Sequence, residues 1–483
     1  MKTNHTSFNV IIIGSGAIGL SIANELVQAP LKIALVSPRS PSGLASLAAG
    51  AMVDAFGEIE TLDSPAERQR LRLEVKAQRR YPDWLKEISE RSGREIFHRQ
   101  GIFIVSNNGG EHDVPKMNLM REQMIAYGEE FEEVDPKDIP GLKPNYLFRA
   151  QEAILMKGGL SVDTTELLPA LEEAAQKSDR YTRIDDGVTS IEPEGNTWKV
   201  KTLKGDTLLA EKVIVCAGAQ TFKILGEQLR IKATLPKLYF GRGASVTVID
   251  GPEVPYCIRT PNRALSCGIH MVPRNGNRLY LGATNLFGTD YNKLPTGPSC
   301  GELHTLFEAI MNELNTSLRN VSIDYTSWGL RPITQFNYPL VGETEIPGLF
   351  IATGTHRTGV HLAPIIAEIA AAEVLGKELS EDNPFSPKNP SETDSEVNIA
   401  LGIRSLLATA LFPNGRLPYN RMIELETFMT EMVKLALNGE KDGALRERLQ
   451  EILADVPLSE QGILRVYHEV LEQHIPADGP YPT

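Results

Sequence analysis

The chain has 483 residues, enough for two or three domains, and its 41% hydrophobic content with mixed charge suits a globular protein that buries a large core. A net charge of −13 lacks the basic face that nucleic acid requires, and it disfavours docking on an anionic membrane surface. Cys216, Cys257, Cys267 and Cys300 show no CxxC spacing and read as reduced thiols rather than a disulfide framework.

The N-terminal MKTNHTSFNV has no charged region followed by a long apolar stretch, so no signal peptide is expected. No run approaches the roughly 18 apolar residues of a membrane span, and the expected location is the cytoplasm. From Phe8, FNVIIIG reads as a buried strand that flows into GSGAIG and the apolar-periodic helix LSIANELVQ, which Pro30 stops. A second strand, KIALVS, completes a βαβ unit with Gly14, Gly16 and Gly19 at the GxGxxG positions. The three glycines serve a tight turn, a close backbone approach to a pyrophosphate and close packing of helix on strand. The phosphates are expected on the amides at the helix N-terminus. The acid that usually ends the second strand to hold the ribose is absent, and Ser37 stands in its place within VSPR. Arg39 just beyond it suits a 2′-phosphate, which leaves an NADP reading open. Residues 44–53, LASLAAGAMV, are small enough for backbone to pass close to a flat ligand, or to begin a tightly packed helix.

A charged helical stretch follows over roughly 64–91, then the strand HRQGIFIVSN and a polar region to about Ala150. GGLSVDTTELLPALEEAA predicts a turn, a cap at Asp163 or Thr164 and an amphipathic helix. Residues 187–221 alternate strands and turns, and the last strand, KVIVCAG, ends in Ala217 and Gly218, where backbone again has room to approach a ligand. Short strands from Leu235 to about Tyr325, among them ASVTVI, YCIRT and RLYLGAT, predict an antiparallel sheet and a second domain. The chain returns through WGLRPITQFNYPLVG and GLFIAT to GTHRTGVHLAP and an alanine-rich helix. This late segment lies more than 300 residues from the βαβ start, so the dinucleotide domain is expected to be discontinuous. His356 and His361 are five apart with no cysteine or acid at ligand spacing, so no metal site is expected; Arg357 between them points to an anion.

Together GSGAIG, LAAGAM, GGLSVDTTELLPAL, VIVCAGAQT, WGLRP with the following PLVG, and the late G-x-H-R-T-G-V-H-L-A-P resemble the D-amino-acid oxidase superfamily of flavoproteins, with glycine oxidase the nearest branch. The resemblance covers roughly residues 8–387. It implies FAD and an α/β fold with a Rossmann-like FAD-binding domain in three parts, 1–90, 151–225 and 326–387. An antiparallel-sheet substrate domain would take 91–150 and 226–325, followed by a linker at 388–397 and a helical C-terminal extension over 398–483.

The resemblance also implies roles. Cofactor contacts fall on Gly14, Ser15, Gly16, Ala17, Ile18 and Gly19, on Ser37 and Pro38, on Ala48, Ala49, Gly50 and Ala51, and on Val188, Ala217 and Gly218. The late turn adds Gly354, Thr355, His356, Arg357, Thr358, Gly359, Val360, His361 and Leu362. Arg331, in the G-x-R-P segment, and Arg357 would bind a substrate carboxylate through the guanidinium fork. Tyr239, Tyr256, His270 and His356 are candidates for the pocket wall. The chain departs from the family pattern at Thr355, Phe336 and His270, so the resemblance implies the chemistry rather than glycine itself as the substrate. That chemistry is oxidation of a small amino acid or N-substituted amino acid: hydride passes from the amine-bearing carbon to flavin N5, an imine forms, and O2 reoxidises the flavin to give H2O2. A dehydrogenase with another acceptor, and a flavin-bound interaction protein without turnover, are the alternatives. The extension holds helical runs such as YNRMIELETFMTEMVKLALNG, broken at Gly415 and Pro418, and suits a dimer contact, a partner-binding module or a cover on the FAD domain.

Overall fold

The computed structural model describes residues 6–388 apart from 40–42, 60–61, 63–64, 108–112, 237, 263–267, 289–295, 335–337 and 380–382. All described residues fall in one of the two compact units into which the chain divides, Met1–Arg263 with Cys267–Thr393. The expected extension at 398–483, nearly all of the expected linker, and Phe336 lie outside the described residues.

The chain opens with β1 (Thr6–Ile13), α1 (Ala17–Leu26), β2 (Ile33–Val36), β3 (Met52–Val53), the long α2 (Pro65–Ser92), β4 (His98–Asn107), α3 (Asp113–Tyr127), β5 (Phe131–Val134) and β6 (Ala150–Val162). Next come α4 (Thr164–Gln176), β7 (Tyr181–Ile184), β8 (Val188–Glu194), β9 (Thr197–Thr202), β10 (Thr207–Val215) and α5 (Thr221–Lys232). The last are β11 (Leu238–Ile249), β12 (Cys257–Arg259), β13 (His270–Arg274), β14 (Arg278–Gly282), β15 (Leu286–Gly288), α6 (Cys300–Glu313), β16 (Ser322–Thr334), β17 (Leu340–Glu343), β18 (Leu349–Thr353) and α7 (Ala363–Val374).

Two sheets organise these elements. The first has the order β17-β18-β10-β1-β2-β7, with β9 on β10 and β8 on β9. Its centre is parallel: β1 pairs with β2 and β10, and β10 with β18. Val10 to Ile13 are at most 2% exposed because apolar layers cover both faces, and this is why the run is continuous rather than alternating. On one face α1, α2, α4 and α7 supply the cover, and α1 and α7 are rich in alanine, so they pack closely. Three distant stretches, 6–36, 181–215 and 340–353, supply the strands, so this sheet is discontinuous in sequence.

The second sheet runs β15-β11-β14-β13-β12-β4-β6-β3, with β16 on β11 and β5 on β6. Its pairings are antiparallel except for β12 with β4. Two strands fall in it that the reading of segments 151–225 and 326–387 gave to the FAD-binding part. β6 pairs along most of its length with β4, and β16 with β11, so long-range pairing rather than local pattern assigns them. Pro332 is tolerated in β16 because, among the described strands, β16 pairs along its length with β11 alone, and its other side meets isolated bridges at Leu44 and Thr355. The region read as polar between β4 and Ala150 contains a helix, α3, which buries Met117, Met120 and Met124 on one face. Asp163, the expected cap, accepts the Thr165 N–H at 3.0 Å at the start of α4. Among the described residues, no helix is long and apolar enough to cross a membrane, and Cys216, Cys257 and Cys300 are free thiols.

Candidate active site

A cavity of about 590 Å³ follows the carboxyl ends of β1, β2, β10 and β18, where an open α/β sheet offers its crevice. At the end of β1 the chain turns through Gly14 with φ +118°, and a Cβ there would lie 2.4 Å from the Cys216 carbonyl oxygen at the end of β10. A Cβ on Gly19 would lie 2.1 Å from the Gly14 carbonyl, so this glycine seats α1 on the turn and stays behind the wall. Gly16 caps α1 without a side-chain hydrogen bond, and Gly14, Ser15, Gly16, Ala17 and Ile18 make the cavity wall at the start of the helix. Ser46 Oγ accepts the Ala17 N–H at 3.0 Å. A glycine turn that enters a helix at its N-terminus fits a dinucleotide pyrophosphate.

At the far end, Ser37, Pro38 and Val188 line the same cavity, and the Ser15 hydroxyl donates to Ser37 Oγ at 2.9 Å. Arg39 does not face a phosphate. It is exposed, pairs with Asp185 at 2.9 Å and lies off the cavity wall. Ala217, Gly218 and Ala49 also line the cavity. Ala48, Gly50 and Ala51 stand behind the wall, because the second sheet holds this segment by its carbonyls. Tyr280 donates to Ala48 O at 2.7 Å, and Arg274 to the Ala49 and Gly50 oxygens at 3.0 Å each.

The late turn leads into α7. Thr355, His356, Arg357, Gly359 and Val360 line the cavity, while Gly354, Thr358, His361 and Leu362 build the turn behind them. Gly354 has φ +78° and a Cβ there would lie 2.4 Å from Thr334 Cγ2; His356 has φ +48°, and its N–H donates to Pro332 O at 2.7 Å. Leu362 N–H donates to Thr358 O, and His361 Nε2 lies 2.9 Å from Glu74 O.

Both arginines face the cavity, in unlike company. Arg331 Nη1 donates to Thr284 O at 3.0 Å and to Asn285 Oδ1 at 3.1 Å, and it makes no ion pair among the described residues. Arg357 Nε lies 3.1 Å from Glu58 Oε2, with only 7% of its side chain exposed. Glu58 is held in turn by Arg259 at 2.8 Å and Asn262 at 3.1 Å, and Arg259 also pairs with Asp54 at 2.8 Å. Burial opposes the charge on Glu58, but Arg259 and Arg357 outweigh it and hold the carboxyl well below the ordinary range.

Gly243 makes room for the first guanidinium. On β11 it stands two residues from Gly241, which pairs with Arg331 across the ladder, and a Cβ at 243 would lie 2.2 Å from Arg331 Nη2. Gly243→Ala is therefore expected to push the guanidinium aside and raise KM about tenfold or more, with flavin content unchanged; steady-state kinetics beside the flavin-to-protein ratio checks this. The signal was present in the sequence as GRG inside a strand, where glycine marks a close approach. The acidic pair Asp54 and Glu58, directly after the LAAGAM segment, was a second signal passed over.

Three of the proposed wall residues lie off the cavity. Tyr239 sits half-buried on β11 beside Ile333, and Tyr256 packs against Phe103 with ring centroids 5.7 Å apart. His270 stacks on Tyr280 at 5.7 Å beneath Gly50, and its Nδ1 lies 2.8 Å from Gly268 O. Strand register sets the positions of Tyr239 and His270, and packing on Phe103 that of Tyr256; sequence alone fixes neither.

Burial keeps His270, His356 and His361 neutral. It lowers His270 to about 3 and His361 to about 4, and holds His356 well below the ordinary value, with Arg357 and Arg331 adding to the effect. Below about pH 6.5 the unfolded chain protonates these imidazoles and the folded chain does not. Their stabilisation is complete above that pH and is lost as pH falls toward the folded values. For His270 alone the loss is about 2 kcal/mol between pH 6.5 and 5, and urea unfolding across that range, with His270→Gln flattening the slope, is the check.

Residues 9–373 match the family model described as FAD dependent oxidoreductase. Glycine oxidase from Geobacillus kaustophilus is 27% identical over 395 residues, covering 78% of this chain and 96% of its own length. Glycine oxidase from Bacillus subtilis is 26% identical, covering 78% and 95%. The crystal structure of the Geobacillus kaustophilus glycine oxidase superposes with a TM-score of 0.68 at 26% identity, covering 79% of this chain and 99% of that one.

Proposed function

The chain belongs to the FAD-dependent oxidoreductase family, and from that premise we propose that it oxidises a small amino acid or N-substituted amino acid at the carbon bearing the amine, with O2 as the acceptor. The observation that carries this reading is Arg331. A guanidinium held by neutral oxygens, in the same cavity as a glycine cradle for a dinucleotide, is a receptor for a ligand carboxylate. The names of the relatives, glycine oxidases, support the same substrate class.

The turn from Gly14 to Ile18 and the segments at Ser37, Ala49, Val188, Ala217 and Thr355–Val360 would hold FAD, which would supply the acceptor for a hydride from the amine-bearing carbon. The protein supplies position. Arg331 fixes the carboxylate end of the substrate and so limits how the α-carbon lies. The neutral imidazole of His356 beside it adds no further positive charge against an amine. The apolar wall from Ile18, Leu44, Leu330 and Val360 restricts water around the reacting carbon. In this reading the first sheet carries the cofactor and the second, through β11 and β16, carries the substrate.

The test is a screen of small amino and N-alkyl amino acids with the FAD-loaded protein, following O2 consumption together with release of ammonia or amine. Equal rates for the two are expected with a true substrate. Release of amine only when an artificial electron acceptor is added would replace O2 by another acceptor, and no release with any carboxylate-bearing amine would refute the substrate class.

A further inference from the structure

Glu58 stands behind Arg357 in the cavity wall. It is fixed there by Arg259, which is fully buried and also pairs with Asp54, and by the Asn262 amide. Arg357 is thus already opposite a carboxylate, whereas Arg331, among the described residues, donates to the oxygens of Thr284 and Asn285. We propose that Glu58 is a specificity-determining residue: by occupying Arg357 it leaves one guanidinium for the ligand, so the site admits amines with a single carboxylate and rejects dicarboxylic ones. The inference rests on the carboxylate site proposed at Arg331.

A second ligand carboxylate that reached Arg357 would meet the Glu58 charge in a place sheltered from water. Like charges repel strongly there, and the existing pair would have to break before a new one formed. Glu58 has nowhere to swing, since Arg259 and Asn262 hold its other contacts. Glu58→Gln removes the charge and keeps the shape. Arg259 retains Asp54 and its 2.7 Å bond to Asn262 Oδ1, so the buried cluster keeps its frame.

The test titrates FAD-loaded protein with acetate and with malonate, which are not oxidised, and reads the perturbation of the flavin absorbance. The wild type is expected to bind acetate at least about tenfold more tightly than malonate, and Glu58→Gln to tighten malonate about tenfold while acetate changes little. Glu58→Asp, which keeps the charge, is expected to keep the acetate preference, and it serves as a second test if the Gln variant folds poorly. Equal binding of the two anions by the wild type, an unmoved ratio in Glu58→Gln, or a lost preference in Glu58→Asp would overturn the role of Glu58 while leaving Arg331 in place. Absence of any perturbation by either anion would remove the carboxylate site itself, and this inference with it.

Discussion

Arg331→Ala is expected to lower kcat/KM about 1,000-fold for the carboxylate-bearing substrate while leaving bound flavin unchanged. The guanidinium presents two parallel donors to a carboxylate, and each charge-assisted bond is worth about 1.5–3 kcal/mol net. Losing both removes roughly 3–6 kcal/mol, or about two to four powers of ten. Arg331 holds no carboxylate of its own among the described residues, so its removal strands no buried acid and the fold should survive. The loss is expected in KM through lost binding and in kcat through lost orientation of the α-carbon. Arg331→Lys should recover only part of it, because an ammonium keeps the charge and loses the fork. Near-normal kinetics in Arg331→Ala, measured at matched flavin content, would show that the carboxylate lies elsewhere.

Gly14→Ala is the second large effect, and it acts on the cofactor and not the substrate. The backbone at Gly14 has φ +118°, a region closed to L side chains, and a Cβ would stand 2.4 Å from Cys216 O and 2.8 Å from its carbonyl carbon. Neither partner can yield, because β1 and β10 are neighbouring central strands joined from Thr6–Leu208 to Ile13–Val215. The strain, on the order of 3 kcal/mol or more, must open the turn that leads into α1, the proposed pyrophosphate cradle. The expected result is a protein purified with little or no flavin and a lowered urea midpoint. A variant that retains a full complement of flavin would show that the turn is not the cradle.

These two sites were legible for different reasons. The β1–α1–β2 unit shows in sequence because it is local: a continuous apolar run, three spaced glycines and a helix ended by a proline within 36 residues. Arg331 and Arg357 were found as residues of a motif, and the family resemblance implied that both bind one substrate carboxylate. The sequence could not show that Arg357 faces Glu58, since the two are 299 positions apart and nothing local links them. The same limit moved β6 and β16 to the second sheet and removed Tyr239, Tyr256 and His270 from the wall, for pairing partners and register are tertiary facts. The α3 helix was different. Its buried Met117, Met120 and Met124 have helical spacing, and the charged residues around them masked it.

The most direct test of the account is the visible absorbance of purified protein under anaerobic conditions, before and after a pool of small amino and N-alkyl amino acids is added. The account predicts a flavin spectrum that bleaches on addition and recovers when air is admitted. A flavin spectrum that no carboxylate-bearing amine reduces, or a protein that stays colourless after FAD is supplied, would contradict it.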